Sequence, residues 1–256
     1  MEIVIYGAHN IESEKTRTTC MIIDGSLVID AGCLTSNLSF IDQMKLKAIL
    51  LTHAHYDHVR DLPAIGMNYN IHGKSLNVYA ISSVFDMLRS NLLNNGLYPD
   101  FFNQPVSHPS LQTNIVKPGE KISVAGYEVL PVTMPHSVPT TGFQITGKDG
   151  LSMLYTGDTG IDTPERWSNV HPDLLIIEVT ARNDRREFAI ESGHLTPELL
   201  QQELEKFMSL QGYLPRIITV HMNPLEEPVI RKELDAVSSH LGIAIETAYE
   251  GMHLSI

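Results

Sequence analysis

With 256 residues, 43% of them hydrophobic, the chain can bury a substantial core as one compact domain spanning residues 1–256. Charged residues make up 19%, and no low-complexity tract or long Pro/Gly/Ser linker occurs, which excludes wholesale disorder. A net charge of −12, from 18 Lys+Arg against 30 Asp+Glu, leaves little basic surface for neutralising a long nucleic acid and favours a small substrate.

Arg182, Arg185 and Arg186 form the one basic cluster. No positively charged start followed by a long apolar run is present, and no 18-residue apolar stretch, so a soluble, cytoplasmic protein that does not contact membranes is expected.

In chain order, Glu2–Gly7, Thr19–Ile23 and Leu27–Asp30 read as strands, with Asp24-Gly25 as a hairpin turn. That hairpin places Cys20 nearer Ile29 than Cys33, so the two cysteines are expected to be buried free thiols. Lys47–Thr52 is a continuous apolar strand suited to a sheet covered on both faces, and it delivers His53 at its C-terminal end.

Helical spacing of Val84, Leu88 and Leu92 predicts a helix over Ser82–Asn94, stopped by Asn95-Gly96, and Tyr98–Ser110 is expected to be loop. Phe85, Leu88, Tyr98, Phe101 and Phe102 are expected as ordinary core and loop packing, with a pocket or a homodimer face as the other use of so many aromatics. A second meander is predicted at Lys121–Val124, Tyr127–Thr133, Thr141–Thr146 and Leu151–Thr156. Asp173–Glu178 and Arg216–Val220 are further buried strands. Between them lies a helix over Pro197–Leu210, with Thr196 as N-cap and Pro197 at its first position. A helix around Pro228–His240 and a last strand near Ile243–Tyr249 close the chain. Meander followed by helix occurs twice, which fits two sheets face to face with helices outside.

The segment His53-Ala54-His55-Tyr56-Asp57-His58 packs four good metal ligands into six residues directly after a buried strand. Residues two apart in an extended chain point the same way, so His53 and His55 can grip one ion while the following turn swings Asp57 and His58 toward a second. Imidazole and carboxylate without thiolate suit zinc, and manganese or iron are chemically compatible. The cluster alone cannot complete both coordination shells. Three further candidates, His136, Asp158 and His221, each follow a predicted strand, as His53 does. A carboxylate can bridge two metals about 3.5–4 Å apart, the role expected of Asp158.

These motifs, with Thr156-Gly157-Asp158-Thr159 and the opening Leu27-Val28-Ile29-Asp30-Ala31-Gly32, resemble the metallo-β-lactamase superfamily over nearly the whole chain. The resemblance implies an α/β protein built as an αββα sandwich, the metallo-β-lactamase fold, with two mixed sheets face to face and helices outside. It implies one ion held by His53, His55, His136 and Asp158 and another by Asp57, His58, Asp158 and His221, with Asp30 supporting a ligand from behind. The bridging Asp158 sets the chain apart from the true β-lactamases.

Ile176-Ile177-Glu178-Val179-Thr180 and Gly193-His194-Leu195-Thr196 are similar to the Glu-Ala-Thr and Gly-His-Ser-Thr segments of ribonuclease Z and its relatives. That similarity implies a phosphodiesterase in which His194 protonates the leaving group, Glu178 partners His194, and Asp57 joins the reaction from the metal centre. Independently, His194 precedes a helix N-terminus, which attracts phosphate but disfavours imidazolium, so a carboxylate such as Glu178 helps restore its proton.

The chain has no Gly/Pro-rich insertion resembling the arm with which ribonuclease Z holds transfer RNA. Class II cyclic-nucleotide phosphodiesterases are similar in their metal motifs, but they usually carry Leu at Tyr56 and a small residue at Asp61. A small phosphodiester or cyclic nucleotide is therefore the expected substrate, ahead of RNA. Lactone or thioester hydrolysis, with Tyr56 or Tyr155 polarising a carbonyl, is the alternative on the same scaffold. A metal store is disfavoured by the absence of a closed thiolate shell.

Overall fold

The computed structural model describes residues 1–162 and 164–256. Strands β1 (Glu2–Gly7), β2 (Cys20–Ile23) and β3 (Leu27–Ile29) form the opening meander, and Asp24 and Gly25 turn it with φ of 44° and 62°, as a tight hairpin requires. Two short helices, α1 (Leu34–Asn37) and α2 (Phe40–Gln43), lead to β4 (Ala48–Leu50). Then come α3 (Tyr56–Val59), α4 (Leu62–Ile71), β5 (Leu76–Ala80), α5 (Ser82–Asn91) and β6 (Leu111–Ile115). The remainder comprises β7 (Ile122–Val124), β8 (Tyr127–Met134), β9 (Thr140–Thr146), β10 (Ser152–Tyr155), β11 (Leu174–Glu178), α6 (Arg186–Ser192), α7 (Pro197–Gln211), β12 (Arg216–Val220), α8 (Glu227–Leu241), β13 (Ile245–Thr247) and β14 (Met252–Ser255).

The strands form two seven-stranded sheets, ordered β14-β1-β2-β3-β4-β5-β6 and β13-β12-β11-β10-β9-β8-β7. Both are mixed. Pairing is antiparallel through the meanders and parallel from β3 to β6 and from β10 to β13. Strands β1, β3, β4, β8, β10, β11 and β12 therefore all end at the same edge of the sandwich.

The apolar runs follow from burial on both faces. In β4, Ala48 and Leu50 point into the core between the sheets while Ile49 packs on the helical layer outside; in β11, Leu174 and Ile176 point inward while Leu175 and Ile177 meet the helices on the other side. Each fully buried Leu or Ile contributes about 1.5–3 kcal/mol. The layers are thus helix, sheet, sheet, helix, which is the αββα sandwich implied by the resemblance.

Several elements were not legible in advance. Helices α1, α2 and α3 are single turns, too short to show a period. Strand β5 turns Leu76, Val78 and Ala80 toward the outer helical layer, but β6 is a polar edge strand, Leu111-Gln112-Thr113-Asn114-Ile115. Strand β13 is not the last, because β14 returns to pair with β1 across the whole length of the chain. Phe85, Leu88, Phe101 and Phe102 are core residues, whereas Tyr98 is partly exposed. Cys20 and Cys33 are buried free thiols, but they lie against one another: a hydrogen bond to Cys33, then burial, raises the Cys20 thiol well above its ordinary pKa. The chain beyond β3 bends back toward β2, with the Gly32 N–H donating to the Thr19 carbonyl at 2.9 Å, which brings Cys33 to Cys20.

Gly32 sits where the β3 loop passes under the His53–His58 segment. A methyl group added there meets the Asp57 carbonyl oxygen at 2.0 Å and the Thr19 carbonyl oxygen at 2.7 Å. Backbone rather than a flexible side chain blocks the space. Gly32→Ala is therefore expected to destabilise the fold by about 3 kcal/mol. A urea titration should show a lower midpoint with an unchanged slope.

Candidate metal centre

Every residue singled out as a metal ligand lies just beyond a strand at the shared edge. Strand β4 delivers His53 and His55 and leads into α3, which carries Asp57 and His58; β8 delivers His136, β10 Asp158, β11 Glu178 and β12 His221. Two groups result, within each of which the ligating atoms lie within 4.8 Å of one another: His53, His55, His136 and Asp158, and Asp57, His58 and His221.

Asp158 lies between the groups. Its Oδ2 is 3.6 Å from His53 Nε2 and 3.8 Å from His136 Nε2, while its Oδ1 is 3.2 Å from His58 Nε2 and 3.4 Å from His221 Nε2. One oxygen thus faces each group, the geometry of a bridging carboxylate. Asp57 Oδ2 approaches His221 Nε2 at 3.1 Å and His58 Nε2 at 3.6 Å.

The outer nitrogens of four histidines are already occupied, which sets their tautomers. His58 Nδ1 pairs with Asp30 at 2.7 Å, His136 Nδ1 donates to the Gly193 carbonyl at 2.8 Å, His53 Nδ1 meets Thr52 Oγ1 at 3.0 Å, and His221 Nδ1 meets Thr180 Oγ1 at 2.9 Å. The Thr52 hydroxyl donates to Asp30, and the Thr180 hydroxyl to Glu178 at 2.6 Å. Both hydroxyls are thereby committed and accept from the imidazoles, so all four rings turn Nε2, the nitrogen free to ligate, inward. His55 points inward through Nδ1, 3.2 Å from His136 Nε2.

These residues fit a pair of divalent cations. His58 Nε2 and His221 Nε2 face each other at 3.4 Å, so a proton or a cation must lie between them. His53 Nε2 and Asp158 Oδ1 are buried without any hydrogen-bond partner, a costly state for polar atoms unless they ligate. Burial first, then the neighbouring imidazoles, hold His53 well below the usual histidine pKa and lower His55 and His136. Neutral imidazoles are the ligating form. Burial also opposes charge on His58 and Asp158, but the facing carboxylates Asp158, Asp30 and Asp57 raise His58 well above its usual value, and the facing imidazoles His221 and His58 hold Asp158 well below its own.

His194 stands at the rim. Its ring stacks on His221 at 5.6 Å and meets His136 edge-on at 4.9 Å, and with Asp158 and His221 it forms a third cluster of ligand atoms. Its Nδ1 lies 2.6 Å from Glu178 Oε1. Glu178 is fully buried and also accepts from Thr159 N at 2.9 Å and Leu195 N at 3.3 Å. Burial works against the His194 imidazolium, but Glu178, by its charge and its hydrogen bond, raises the pKa to about 9.

The resemblance implied that Asp30 supports a ligand from behind. The structure makes it a bracket for His58 and Thr52, fully buried and in the left-handed region at φ 57°. Thr52, Thr180 and the Gly193 carbonyl were missed, and for the threonines the only available signal was adjacency to a ligand or to Glu178. Tyr155 is fully buried in the core and so cannot reach a substrate carbonyl, whereas Tyr56 is exposed. The arginine cluster is largely neutralised: Arg182 pairs with Asp184 at 2.6 Å and Arg185 with Glu226 at 3.7 Å.

A family model described as a beta-lactamase superfamily domain matches residues 27–222. A ribonuclease Z of Pyrococcus abyssi is 26% identical over 198 residues, covering 72% of this chain and 61% of that protein. The chain spans about half to three fifths of the length of the first three such relatives, 61%, 48% and 60%. Among solved structures, unliganded yeast PDE1 superposes with a TM-score of 0.85 at 17% identity, covering 100% of this chain and 99% of that one. Short-form human tRNase Z superposes with a TM-score of 0.70 at 19% identity, over 100% and 99% of the two chains.

Two outcomes are expected. Asp30→Asn should weaken metal binding about 10–100-fold, measured by competition with a chelator dye. In metal-free protein followed by NMR, the His194 pKa of about 9 should fall back toward its ordinary 6.5 in Glu178→Gln. Because the folded value is raised, the stability this pair contributes is fully present below pH 6.5 and is lost as pH rises through about 9.

Proposed function

The chain belongs to the beta-lactamase superfamily, and on that premise we propose that it is a metal-dependent hydrolase cleaving a small phosphodiester, with cyclic nucleotides among the candidates. One observation carries this reading: His194 is held by a buried carboxylate at 2.6 Å beside the candidate ligands of both metal groups. A phosphodiester leaves as a poorly stabilised alkoxide and needs a proton at that place.

The residues His53, His55, His136 and Asp158, and Asp57, His58, Asp158 and His221, would hold two divalent cations, zinc by their donor set with manganese or iron compatible. Such cations, when bound, supply Lewis acidity and an activated water. The chain's own groups do the rest. Glu178 fixes the His194 ring through Nδ1 and keeps it charged, so that Nε2 presents a proton to the departing oxygen. Asp57, with 27% of its side chain exposed against 2% for Asp158, is the carboxylate of the centre able to orient an incoming water.

A groove runs beside His136, lined by Ile81, Pro118, Pro135, Val138, Pro139 and Ser137, with no carboxylate, lysine or arginine in its walls. Ser137 Oγ lies 3.4 Å from His136 Nε2, which links the groove to the metal ligands. An uncharged substituent of the ester suits such walls better than further phosphates. RNA processing is the second reading, favoured by the ribonuclease Z relatives, and the net charge of −12 weighs against it. No helix among the described residues is long and apolar enough to cross a membrane.

The test is an assay of metal-stripped and reloaded protein against bis(p-nitrophenyl) phosphate and a p-nitrophenyl carboxylic ester. Phosphodiester cleavage is expected to return with zinc or manganese, and cleavage of a 3′,5′-cyclic nucleotide assayed beside it, whose leaving oxygen is an alkoxide, to fall about 10²–10⁴-fold in His194→Ala. Carboxylic ester cleavage alone, indifferent to His194, would move the protein to lactone or thioester hydrolysis.

A further inference from the structure

His9 belongs to none of the metal groups, yet it is a buried histidine gripped from both sides. Its Nδ1 lies 2.6 Å from Glu250 Oε1 and its Nε2 3.1 Å from Glu227 Oε2, and the residue is 3% exposed. A ring with a carboxylate at each nitrogen donates from both and is held as imidazolium. The same Glu250 oxygen accepts from the Arg17 N–H at 2.8 Å.

The clamp joins three segments distant in sequence. His9 follows β1; Glu227 opens α8, six residues beyond His221; Glu250 lies in the turn before β14. The backbone around His9 holds the His221 loop directly. The His221 N–H donates to the Ala8 carbonyl at 2.6 Å, the Asn10 N–H to the Met222 carbonyl at 3.4 Å, and His9 bridges both Thr18 and Met222. His221 needs such a hold, because its φ of 65° is a conformation that a residue with a side chain adopts only under constraint.

Resting on the metal-centre reading, we propose that the His9–Glu227–Glu250 clamp is a positioning element that sets the affinity for the cation held by Asp57, His58 and His221, without acting on the group of His53, His55 and His136. No residue of the clamp ligates the metal. Its effect passes through the backbone of one ligand loop, so it is selective for one half of the centre. The group of His53, His55 and His136 is built on β4 and β8, which the clamp does not touch.

The test is a calorimetric titration of stripped full-length protein with Zn²⁺, comparing wild type with His9→Ala, Glu250→Gln and, as the opposite control, His136→Ala. Wild type is expected to take two ions. In His9→Ala one step should weaken tenfold or more while the other stays within about twofold; Glu250→Gln, which keeps an acceptor for the ring but not the charge, should fall between the two. His136→Ala should weaken the other step. Circular dichroism of the stripped variants checks that the fold survives, and should His9→Ala fail to fold, Glu250→Gln decides by the same criterion. Equal weakening of both steps, or of neither, overturns the proposal. Fewer than two ions on wild type would instead overturn the dinuclear reading, and the clamp's role with it.

Discussion

The structure depends on one electrostatic constraint: lone pairs from five imidazoles and two carboxylates converge on a small, largely buried volume. His58 Nε2 and His221 Nε2 stand 3.4 Å apart, His55 Nδ1 and His136 Nε2 3.2 Å apart, and Asp158 lies among them with 2% of its side chain exposed. Without a positive charge at the centre, these atoms repel in a medium that screens poorly. Protonation of His58 supplies part of that charge, which is why its pKa rises against burial. Divalent cations bound by these residues would supply all of it.

The sandwich makes the convergence possible by ending its inner strands at one edge. Two of the residues at that edge, Asp30 and His221, sit in the left-handed region, at φ 57° and 65°. That strain is tolerated because neighbouring backbone leaves no alternative: Asp30 N–H donates to the Leu50 carbonyl, and His221 N–H to the Ala8 carbonyl. Gly32 completes the fit, since only an absent side chain lets the β3 loop approach the backbone of Asp57.

Two carboxylate–histidine pairs in the site are alike in geometry and differ in consequence. Asp30 and His58 are both fully buried at 2.7 Å, and the far nitrogen of His58 faces the metal ligands. Glu178 and His194 lie at 2.6 Å, but the His194 side chain retains 15% exposure. The first arrangement fixes a candidate ligand, and the second leaves the proposed proton donor at the mouth. Position relative to solvent, rather than residue type, separates support from acid chemistry.

The candidate ligand set was legible because its chemistry is dense and local, with His53-Ala54-His55-Tyr56-Asp57-His58 directly after the apolar run Ala48–Leu51. His136, Asp158 and His221 could be read from strand endings, as could the two sheets from paired meanders with continuous apolar strands. The polar edge strand β6, the single-turn helices and β14, which pairs with β1 from the far end of the chain, left no periodic trace. Sequence by itself determined which residues are candidate metal ligands and which layers pack, because residue type and period carry that information. Only the tertiary structure decided that Thr52 and Thr180 orient imidazoles, that Asp158 offers one oxygen to each group, and that His9 braces the loop of His221 across more than two hundred residues of chain. Those are contacts between segments remote in sequence, set by where strands end in space, and no local pattern encodes them.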